Sequence, residues 1–242
     1  MPLTTRARVL GCPVDVVDMD AAVRRLVELA EGPVPPEAAI VVTLNPEILM
    51  RARREPDFLA ILESAPLIVP DGVGVVRALR RRGYREAVRV GGADLVEAYL
   101  AHAQRLGHRV ALVGASDGVA QRAAAVLRNT YPSLDVVADG GDPTAATALR
   151  VGAQAPRLVA AAFGAGRQER FLRDHLRTMR ARLGIGVGGT LDYLAGTARR
   201  APAPVRHAGL EWLWRLGLEP SRWRRQLALP QFWFLERREV RR

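Results

Sequence analysis

The chain alternates short, continuously apolar runs with longer segments in which apolar residues recur at helical spacing. Runs without polar interruption are typical of strands buried on both faces of a parallel sheet. The pattern predicts strands at Ala39–Thr43, Pro66–Pro70, Arg109–Val113, Leu134–Ala138, Arg157–Phe163 and Leu183–Val187. It predicts a helix that follows Asp18, which can cap it, and runs to about Glu31. Further helices are predicted at Asp57–Ser64, Val73–Arg82, Asp94–Leu106, Gly118–Asn129 and Gln168–Arg182. This alternation favours an α/β fold with a doubly wound, mostly parallel sheet.

The C-terminal part of the chain differs from the rest in charge and in tryptophan content. Residues 199–242 hold eleven arginines and four glutamates, which is +7 of the formal net charge of +11, and all four tryptophans. Tryptophan favours interfaces between apolar and aqueous surroundings, and arginine favours phosphates. We therefore expect a core of residues 1–196 and an appendage of residues 197–242 that works at an anionic membrane surface.

The appendage pattern leaves several interpretations open. It predicts a helix from about Ala208 to Leu218, with Leu210, Leu213, Trp214 and Leu218 on one stripe. That stripe either packs on the core or lies in a membrane interface. Interleaved arginines and aromatics would also suit single-stranded nucleic acid, although no recognisable nucleic-acid module accompanies them.

Composition narrows the classes of protein further. The chain has a single cysteine, Cys12, which excludes an internal disulfide. It contains no run of 18 apolar residues, so the sequence predicts no membrane-spanning helix. No two of the four histidines lie within four residues of each other, so we expect no metal site and no cofactor. An NAD-dependent sugar-nucleotide enzyme is an alternative, but Arg77 stands where the third glycine of a dinucleotide fingerprint belongs after Gly72 and Gly74.

Polar and glycine-rich loops follow the predicted strands. Because parallel strands end at one edge of a sheet, these loops form a plausible cleft for a phosphorylated ligand. The loop residues of interest are Thr43, Asn45, Asp71, Gly114, Gln168, Gly188, Gly189 and Thr190. Each also has a structural interpretation, since Thr43 and Asn45 can cap a helix, Asp71 can sit in a turn, and the paired glycines can form a tight turn.

Several motifs recur in one order along nearly the whole chain. They are Thr43-Leu44-Asn45-Pro46-Glu47, Pro70-Asp71-Gly72-Val73-Gly74, Arg89-Val90-Gly91-Gly92-Ala93-Asp94, Gln168-Glu169, Gly186-Val187-Gly188-Gly189-Thr190, Arg200-Ala201-Pro202, Gly209-Leu210-Glu211-Trp212 and Glu219-Pro220-Ser221-Arg222. In this combination the chain, from about residue 9 to residue 235, resembles the WecG/TagA/CpsF glycosyltransferases, glycosyltransferase family 26.

The resemblance implies a Rossmann-like core of the GT-E type with a membrane-binding C-terminal appendage. It implies an inverting transfer from a UDP-sugar to a polyprenyl-diphosphate-linked saccharide, at the cytoplasmic face of a bacterial membrane, for teichoic acid or other surface polysaccharides. The donor would carry N-acetylmannosamine, its uronate or glucose. The sequence leaves the oligomeric state open, a homo-oligomer included.

The resemblance also implies roles for individual residues. Asp71 would be the catalytic base, with Thr43 and Asn45 beside it. Arg89 and Gln168 would lie in the substrate pocket. Arg215, Arg222 and Arg225 would meet the acceptor diphosphate. Two departures from the family pattern, Gly166-Arg167 for a Pro-Lys pair and Gly140-Gly141-Asp142-Pro143 for an aromatic stretch, lie on the expected donor side.

Overall fold

The structure, a computed structural model, describes residues 5–32, 39–202, 204–205, 210–218, 223 and 227–240, and for Arg215 and Val240 it describes the backbone alone. The chain begins with an antiparallel hairpin of β1 (Thr5–Val9) and β2 (Cys12–Val16). Leu10 and Gly11 between them take φ values of 51° and 83°, the left-handed values that a two-residue turn requires. The apolar pattern does not predict this hairpin, because charged residues and Pro13 interrupt its short strands.

Six parallel strands form the central sheet. They are β3 (Ala39–Leu44), β4 (Leu67–Pro70), β5 (Val110–Gly114), β6 (Val136–Asp139), β7 (Leu158–Ala162) and β8 (Leu183–Gly186). Their order across the sheet is β4-β3-β8-β7-β5-β6, and all neighbours pair in parallel. Each of the six predicted strands overlaps one of these, so the predicted α/β fold with a mostly parallel sheet is confirmed.

Helices cover both faces of the sheet. They are α1 (Met19–Glu31), α2 (Pro46–Ala52), α3 (Pro56–Ser64), α4 (Val73–Arg81), α5 (Gly92–Leu106), α6 (Val119–Thr130), α7 (Ala145–Gly152), α8 (Arg167–His175) and α9 (Thr190–Leu194). In β3, Ile40 and Val42 belong to the core on one face, whereas Ala39 and Val41 belong to the core on the other. Burial on both sides explains why the strand sequences lack alternating polar residues.

The helix predicted at Gln168–Arg182 is shorter in the structure. α8 ends at His175, and the chain turns before β8, with Arg180 at φ 54°. A left-handed residue breaks the helical path, which the apolar periodicity alone does not reveal. Asp18 caps α1 as predicted, since its carboxylate accepts a hydrogen bond from the Ala21 amide at 2.8 Å.

Two helices of the C-terminal region return to the core. The tail helix, Glu211–Leu218, covers part of the predicted Ala208–Leu218 segment, and Ala208 lies outside the described residues. The C-terminal helix, Ala228–Val240, packs against α2 and α4. Its Phe232 is fully buried in the same hydrophobic cluster as Val75. Its buried Glu236 pairs with Arg81 and Arg82. Because these contacts join the C-terminal helix to the core, the division into residues 1–196 and 197–242 stays a prediction.

Candidate active site

A cavity of about 950 Å³ opens at the carboxyl ends of β3, β4 and β8. The tail helix and the C-terminal helix form its far wall. Its described lining comprises Thr43, Asn45, Pro46, Glu47, Asp71, Gly72, Val73, Gly74, Arg77, Arg81, Arg89, Gly92, Ala93, Val187, Thr190, Tyr193, Arg200, Leu210, Glu211, Trp212, Trp223, Leu227, Ala228, Leu229, Pro230, Trp233 and Arg237. The cleft expected at the strand ends is thus a formed cavity with arginines and carboxylates in its wall.

Asp71 lies where β4 ends, and its backbone is fastened to the neighbouring strand. The amides of Asp71 and Gly72 donate hydrogen bonds to the Leu44 carbonyl at 3.0 and 3.3 Å. A side chain at position 72 would meet the ring of Pro46, since a Cβ atom there would lie 2.7 Å from the proline Cδ. Glycine therefore allows the β3 and β4 loops to approach closely, and this approach holds the backbone of Asp71 at the cavity.

Arg89 connects Asp71 with the tail helix. Its Nε donates to the Asp71 carbonyl at 2.6 Å, and its Nη2 donates to Asp71 Oδ1 and to Glu211 Oε2, each at 3.0 Å. Burial opposes the charge of the guanidinium, but the two carboxylates outweigh it, so the pKa of Arg89 is raised above its ordinary value. Arg89 stays a cation and holds one oxygen of the Asp71 carboxylate.

Thr43 and Asn45 line the cavity and also hold the fold together. The Thr43 hydroxyl donates to the Gly186 carbonyl at 3.2 Å, which links β3 to β8. Asn45 Oδ1 accepts from the Ile48 amide at 3.0 Å and caps α2. The capping interpretation of Asn45 is confirmed, and the cap engages the amide oxygen and not the amide nitrogen. A part for either residue in catalysis stays a prediction.

Gln168 is buried behind the β8–α9 loop and does not appear in the described cavity lining. Its Oε1 accepts from the Gly188 amide at 3.1 Å, and its Nε2 donates to Glu169 Oε1 at 2.9 Å. Burial raises the pKa of Glu169, which also accepts from the Gly166 amide at 2.6 Å. The buried Gln168–Glu169 pair therefore supports the β8–α9 loop through the hydrogen bond between Gln168 and Gly188.

The segment between β8 and α9 reaches the cavity at Val187 and at Thr190, the first residue of α9. Val187 and Thr190 belong to the lining, and the Thr190 hydroxyl donates to the Val187 carbonyl at 2.8 Å. Gly188 and Gly189 lie between them, and Gly188 takes a φ of 51°. The predicted contact of Gly188, Gly189 and Thr190 with a substrate stays a prediction.

Gly114 lies apart from the described cavity lining. It takes a φ of 88°, and a Cβ atom there would come within 2.5 Å of the Phe163 ring. Close packing against that ring accounts for the glycine. Its predicted contact with a substrate has no support in this geometry and stays a prediction.

The arginines predicted for the acceptor lie largely outside the described residues. Arg222 and Arg225 are not described, and Arg215 is described only as backbone within the tail helix. The structure adds four arginines that the sequence reasoning did not assign to the site, namely Arg77, Arg81, Arg200 and Arg237. The signal for Arg77, Arg81 and Arg237 in the sequence was weak, because exposed arginines on helices are ordinary in an arginine-rich chain, whereas Arg200 belongs to the Arg200-Ala201-Pro202 motif.

Arg200 is held by two carboxylates of α5. Its Nη2 donates to Asp94 Oδ1 at 2.6 Å, and its Nη1 lies 3.8 Å from Glu97 Oε2. Within the described part of the chain its buried Nε has no hydrogen-bond partner. A buried donor without a partner is unfavourable, so this atom can favour a ligand acceptor at the cavity wall.

The tail helix turns its apolar stripe outward. Leu210, Leu213 and Leu218 are 44, 49 and 53% exposed, whereas Glu211 reaches inward to Arg89. Trp214, the fourth residue of the predicted stripe, is partly buried, and its indole Nε1 donates to the Arg199 carbonyl at 3.3 Å. The leucines leave apolar surface beside the cavity mouth, and the choice between packing on the core and lying in a membrane interface stays a prediction.

No described helix is long and apolar enough to cross a membrane. No group of three or more described histidine, cysteine, aspartate and glutamate side chains could hold a metal ion.

Comparison with known proteins covers both the core and the C-terminal region. Over 198 residues the chain is 32% identical to the N-acetylglucosaminyldiphosphoundecaprenol N-acetyl-beta-D-mannosaminyltransferase of Bacillus subtilis (strain 168), a match that covers 80% of this chain and 77% of that protein. It is 32% identical over 199 residues to the protein of the same description from Bacillus spizizenii, covering 81% and 77%. Residues 7–242 match the family model, and the chain therefore belongs to the WecG/TagA/CpsF family of glycosyl transferases.

Proposed function

We propose that the protein is an inverting transferase that moves an N-acetylmannosamine-type sugar from a UDP-sugar to a saccharide linked to polyprenyl diphosphate. The Bacillus relatives, described as acting on N-acetylglucosaminyldiphosphoundecaprenol, support N-acetylglucosamine as the acceptor sugar. The uronate of N-acetylmannosamine and glucose remain alternative donor sugars. The observation that carries the proposal is the Asp71 carboxylate, held by Arg89 in a cavity of substrate size.

Asp71 would act as the general base. An acceptor hydroxyl forms a new C–O bond at the anomeric carbon while its proton passes to the Asp71 carboxylate. The bond from that carbon to the UDP oxygen breaks, and UDP leaves with the bonding electrons. A positioned base contributes about 10²–10⁴-fold to such a step. The hydrogen bond from Arg89 fixes the carboxylate, and Thr43 and Asn45 line the same cavity.

The departing UDP needs neutralisation of its negative charge. Arg89 and Arg200 line the cavity, together with Thr190 at the start of α9. Arginine donors stabilise a diphosphate without a metal ion. We therefore propose that transfer proceeds without a divalent cation.

The outward stripe of the tail helix would place the cavity mouth at a membrane. Leu210, Leu213 and Leu218 provide exposed apolar area beside the arginine-rich C-terminal region. An amphipathic helix of this kind lies in the interface plane and is attracted to anionic lipids. Arg215, Arg222 and Arg225 are proposed to meet lipid phosphates there and to assist in binding the acceptor diphosphate. The protein would then be peripheral at the cytoplasmic face of the membrane.

The deciding experiment is a panel of UDP-sugars offered with undecaprenyl-diphospho-N-acetylglucosamine, with products identified by mass. We expect one N-acetylhexosamine to be added with UDP-N-acetylmannosamine, with and without chelator. No product from any UDP-sugar would refute the proposed activity. Loss of product in chelator, restored by magnesium or manganese, would refute only the metal-free mechanism.

A further inference from the structure

The cavity extends from Asp71 toward the C-terminal helix, where arginines gather around one tryptophan. Arg77 and Arg81 lie one turn apart on α4, Arg237 lies on the C-terminal helix, and all three line the cavity. The guanidinium carbons of Arg77 and Arg81 lie 5.8 and 5.7 Å from the centroid of the Trp233 ring. These distances are within the range of cation–π attraction, so the indole holds two cations side by side.

The charges of this cluster are only partly neutralised. Arg81 forms an ion pair with the buried carboxylate of Glu236. Among the residues that the structure describes, Arg77 and Arg237 have no carboxylate within ion-pair distance. Two such cations in one cavity wall favour a ligand with more than one negative charge, because that ligand can bind both guanidinium groups and reduce the repulsion between them.

An apolar groove adjoins the cavity at this point. It has a volume of about 380 Å³ and is lined by Pro230, Trp233, Phe234, Arg237 and Arg238. Pro230, Trp233 and Arg237 line both the groove and the main cavity, so the two spaces share a wall. Phe234 is 62% exposed at its outer side. A cationic junction followed by an apolar groove suits an amphiphile with an anionic head and a hydrocarbon chain.

We propose that Arg77 and Arg237 bind the diphosphate of the polyprenyl-linked acceptor, and that its first isoprene units lie along Pro230, Trp233 and Phe234. This inference rests on the function proposed above and adds the position and direction of the lipid. The acceptor sugar then points from the arginines toward Asp71. Trp233 contributes to both the diphosphate site and the apolar groove, since Arg77 lies over the face of its ring and the same ring lines the groove.

The diphosphate part is tested with Arg77→Gln and Arg237→Gln in nonionic detergent micelles that contain no phospholipid. Each variant should raise KM for undecaprenyl-diphospho-N-acetylglucosamine about tenfold or more, since a charge-assisted hydrogen bond contributes about that factor. The kcat at saturating acceptor and KM for the UDP-sugar should not change. Arg24→Gln removes one exposed helical arginine from α1, away from the cavity, and is the matched control.

The hydrocarbon part is tested with Phe234→Ala and two acceptors, one with the undecaprenyl chain and one with a short alkyl chain. KM should rise several-fold for the long chain and stay unchanged for the short one. Leu149→Ala, at a 65% exposed residue of α7, is the control. Thermal unfolding of all variants should match the wild type.

The outcomes separate the two proposals. A wild-type protein that transfers sugar, with acceptor KM unchanged in the arginine variants, overturns the binding site and leaves the proposed function intact. An arginine effect that appears only on anionic vesicles assigns these side chains to bilayer phosphates and also overturns the site. A wild-type protein that transfers no sugar to either acceptor refutes the proposed function, and this inference with it.

Discussion

Glu211 and Arg89 meet at 3.0 Å although they lie 122 positions apart in the chain. The same Nη2 atom of Arg89 also holds Asp71 Oδ1 at 3.0 Å. One guanidinium thus joins the proposed base to the helix that forms the outer wall of the cavity. Because both carboxylates share one cation, we expect the position of the tail helix and the orientation of Asp71 to be coupled.

Arg89→Lys should lower kcat for transfer about tenfold or more, because an ammonium group cannot reproduce the planar fork that serves three acceptors. Glu211→Gln, which keeps its shape and loses its charge, should have a smaller effect. Steady-state kinetics with both substrates measures this. Arg8→Lys is the control, since Arg8 forms an exposed two-pronged pair with Glu63 far from the cavity. Equal rates in all three variants would contradict the coupling.

Asp71→Asn should reduce transfer by about two orders of magnitude or more while the fold persists, since the change removes the base and keeps its shape. Single-turnover transfer with saturating donor is the measurement. Asp20→Asn, at an exposed residue in the first turn of α1, is the matched control and should transfer at the wild-type rate. Near-normal turnover in a folded Asp71→Asn protein would remove Asp71 from the mechanism.

Phe232→Ala should lower the free energy of unfolding by about 3–5 kcal/mol, because the ring is fully buried and its loss leaves a cavity. A Cβ atom at Gly74 would lie 3.1 Å from Phe232 Cε1, which shows how closely α4 packs on this ring. Denaturant unfolding gives the value. Phe234→Ala on the same helix removes an exposed ring and should change stability little. Equal stability of the two variants would contradict the packing of the C-terminal helix on the core.

Leu213→Ser should weaken binding to vesicles that contain anionic lipid about tenfold, since burying one leucine side chain is worth about 1.5–3 kcal/mol. Leu213 is 49% exposed on the outward stripe of the tail helix. Co-sedimentation with vesicles measures the binding. Leu149→Ser, at an even more exposed leucine of α7, is the control. If the two variants sediment alike, the tail helix does not insert. Sedimentation with single-stranded oligonucleotides at physiological salt would instead favour nucleic acid as the partner.

The Asp139 carboxylate should contribute to the free energy of unfolding only at pH values at which it is ionised. Hydrogen bonds from the Arg150 guanidinium lower the pKa of its carboxyl below the ordinary value. A lowered folded-state pKa gives stability that is present above the unfolded pKa, about 3.9, and lost as pH falls through the folded value. The gap in unfolding free energy between wild type and Arg150→Gln should therefore be constant near neutral pH and shrink below about pH 4. A gap that does not depend on pH would contradict this assignment.

The sequence predicts the edge of the sheet at which the site lies, because strand recognition depends on local apolar runs. Once the strands are parallel, Thr43, Asn45 and Asp71 must come to one edge. Gly114 sits at the same edge, but the ring of Phe163 packs against it. Packing of this kind, between residues distant in sequence, cannot be predicted from the local pattern of apolar residues.

Arg77 and Trp233 show why part of the cavity escapes prediction. On α4 alone, Arg77 belongs to the polar face and resembles a solvated charge. It becomes part of a cavity wall only because the C-terminal helix packs across α4 and places Trp233 over it. That contact joins residues more than 150 positions apart, and neither helix carries a motif for it. The periodicity of apolar residues shows which face of a helix is polar, but it does not show which other element packs over that face in the folded protein.

The tail helix places two kinds of evolutionary constraint on adjacent positions. Glu211 reaches the guanidinium beside Asp71, so we expect the proposed reaction to restrict this position to an acid of one length. Leu210 and Leu213 on either side are exposed, and any bulky apolar residue would give them a similar surface. Homologues from membranes of different lipid composition should therefore exchange leucine, phenylalanine, isoleucine and tryptophan freely at positions 210 and 213 while keeping the glutamate. A single turn of helix would then record both the chemistry of the enzyme and the lipid composition of its host.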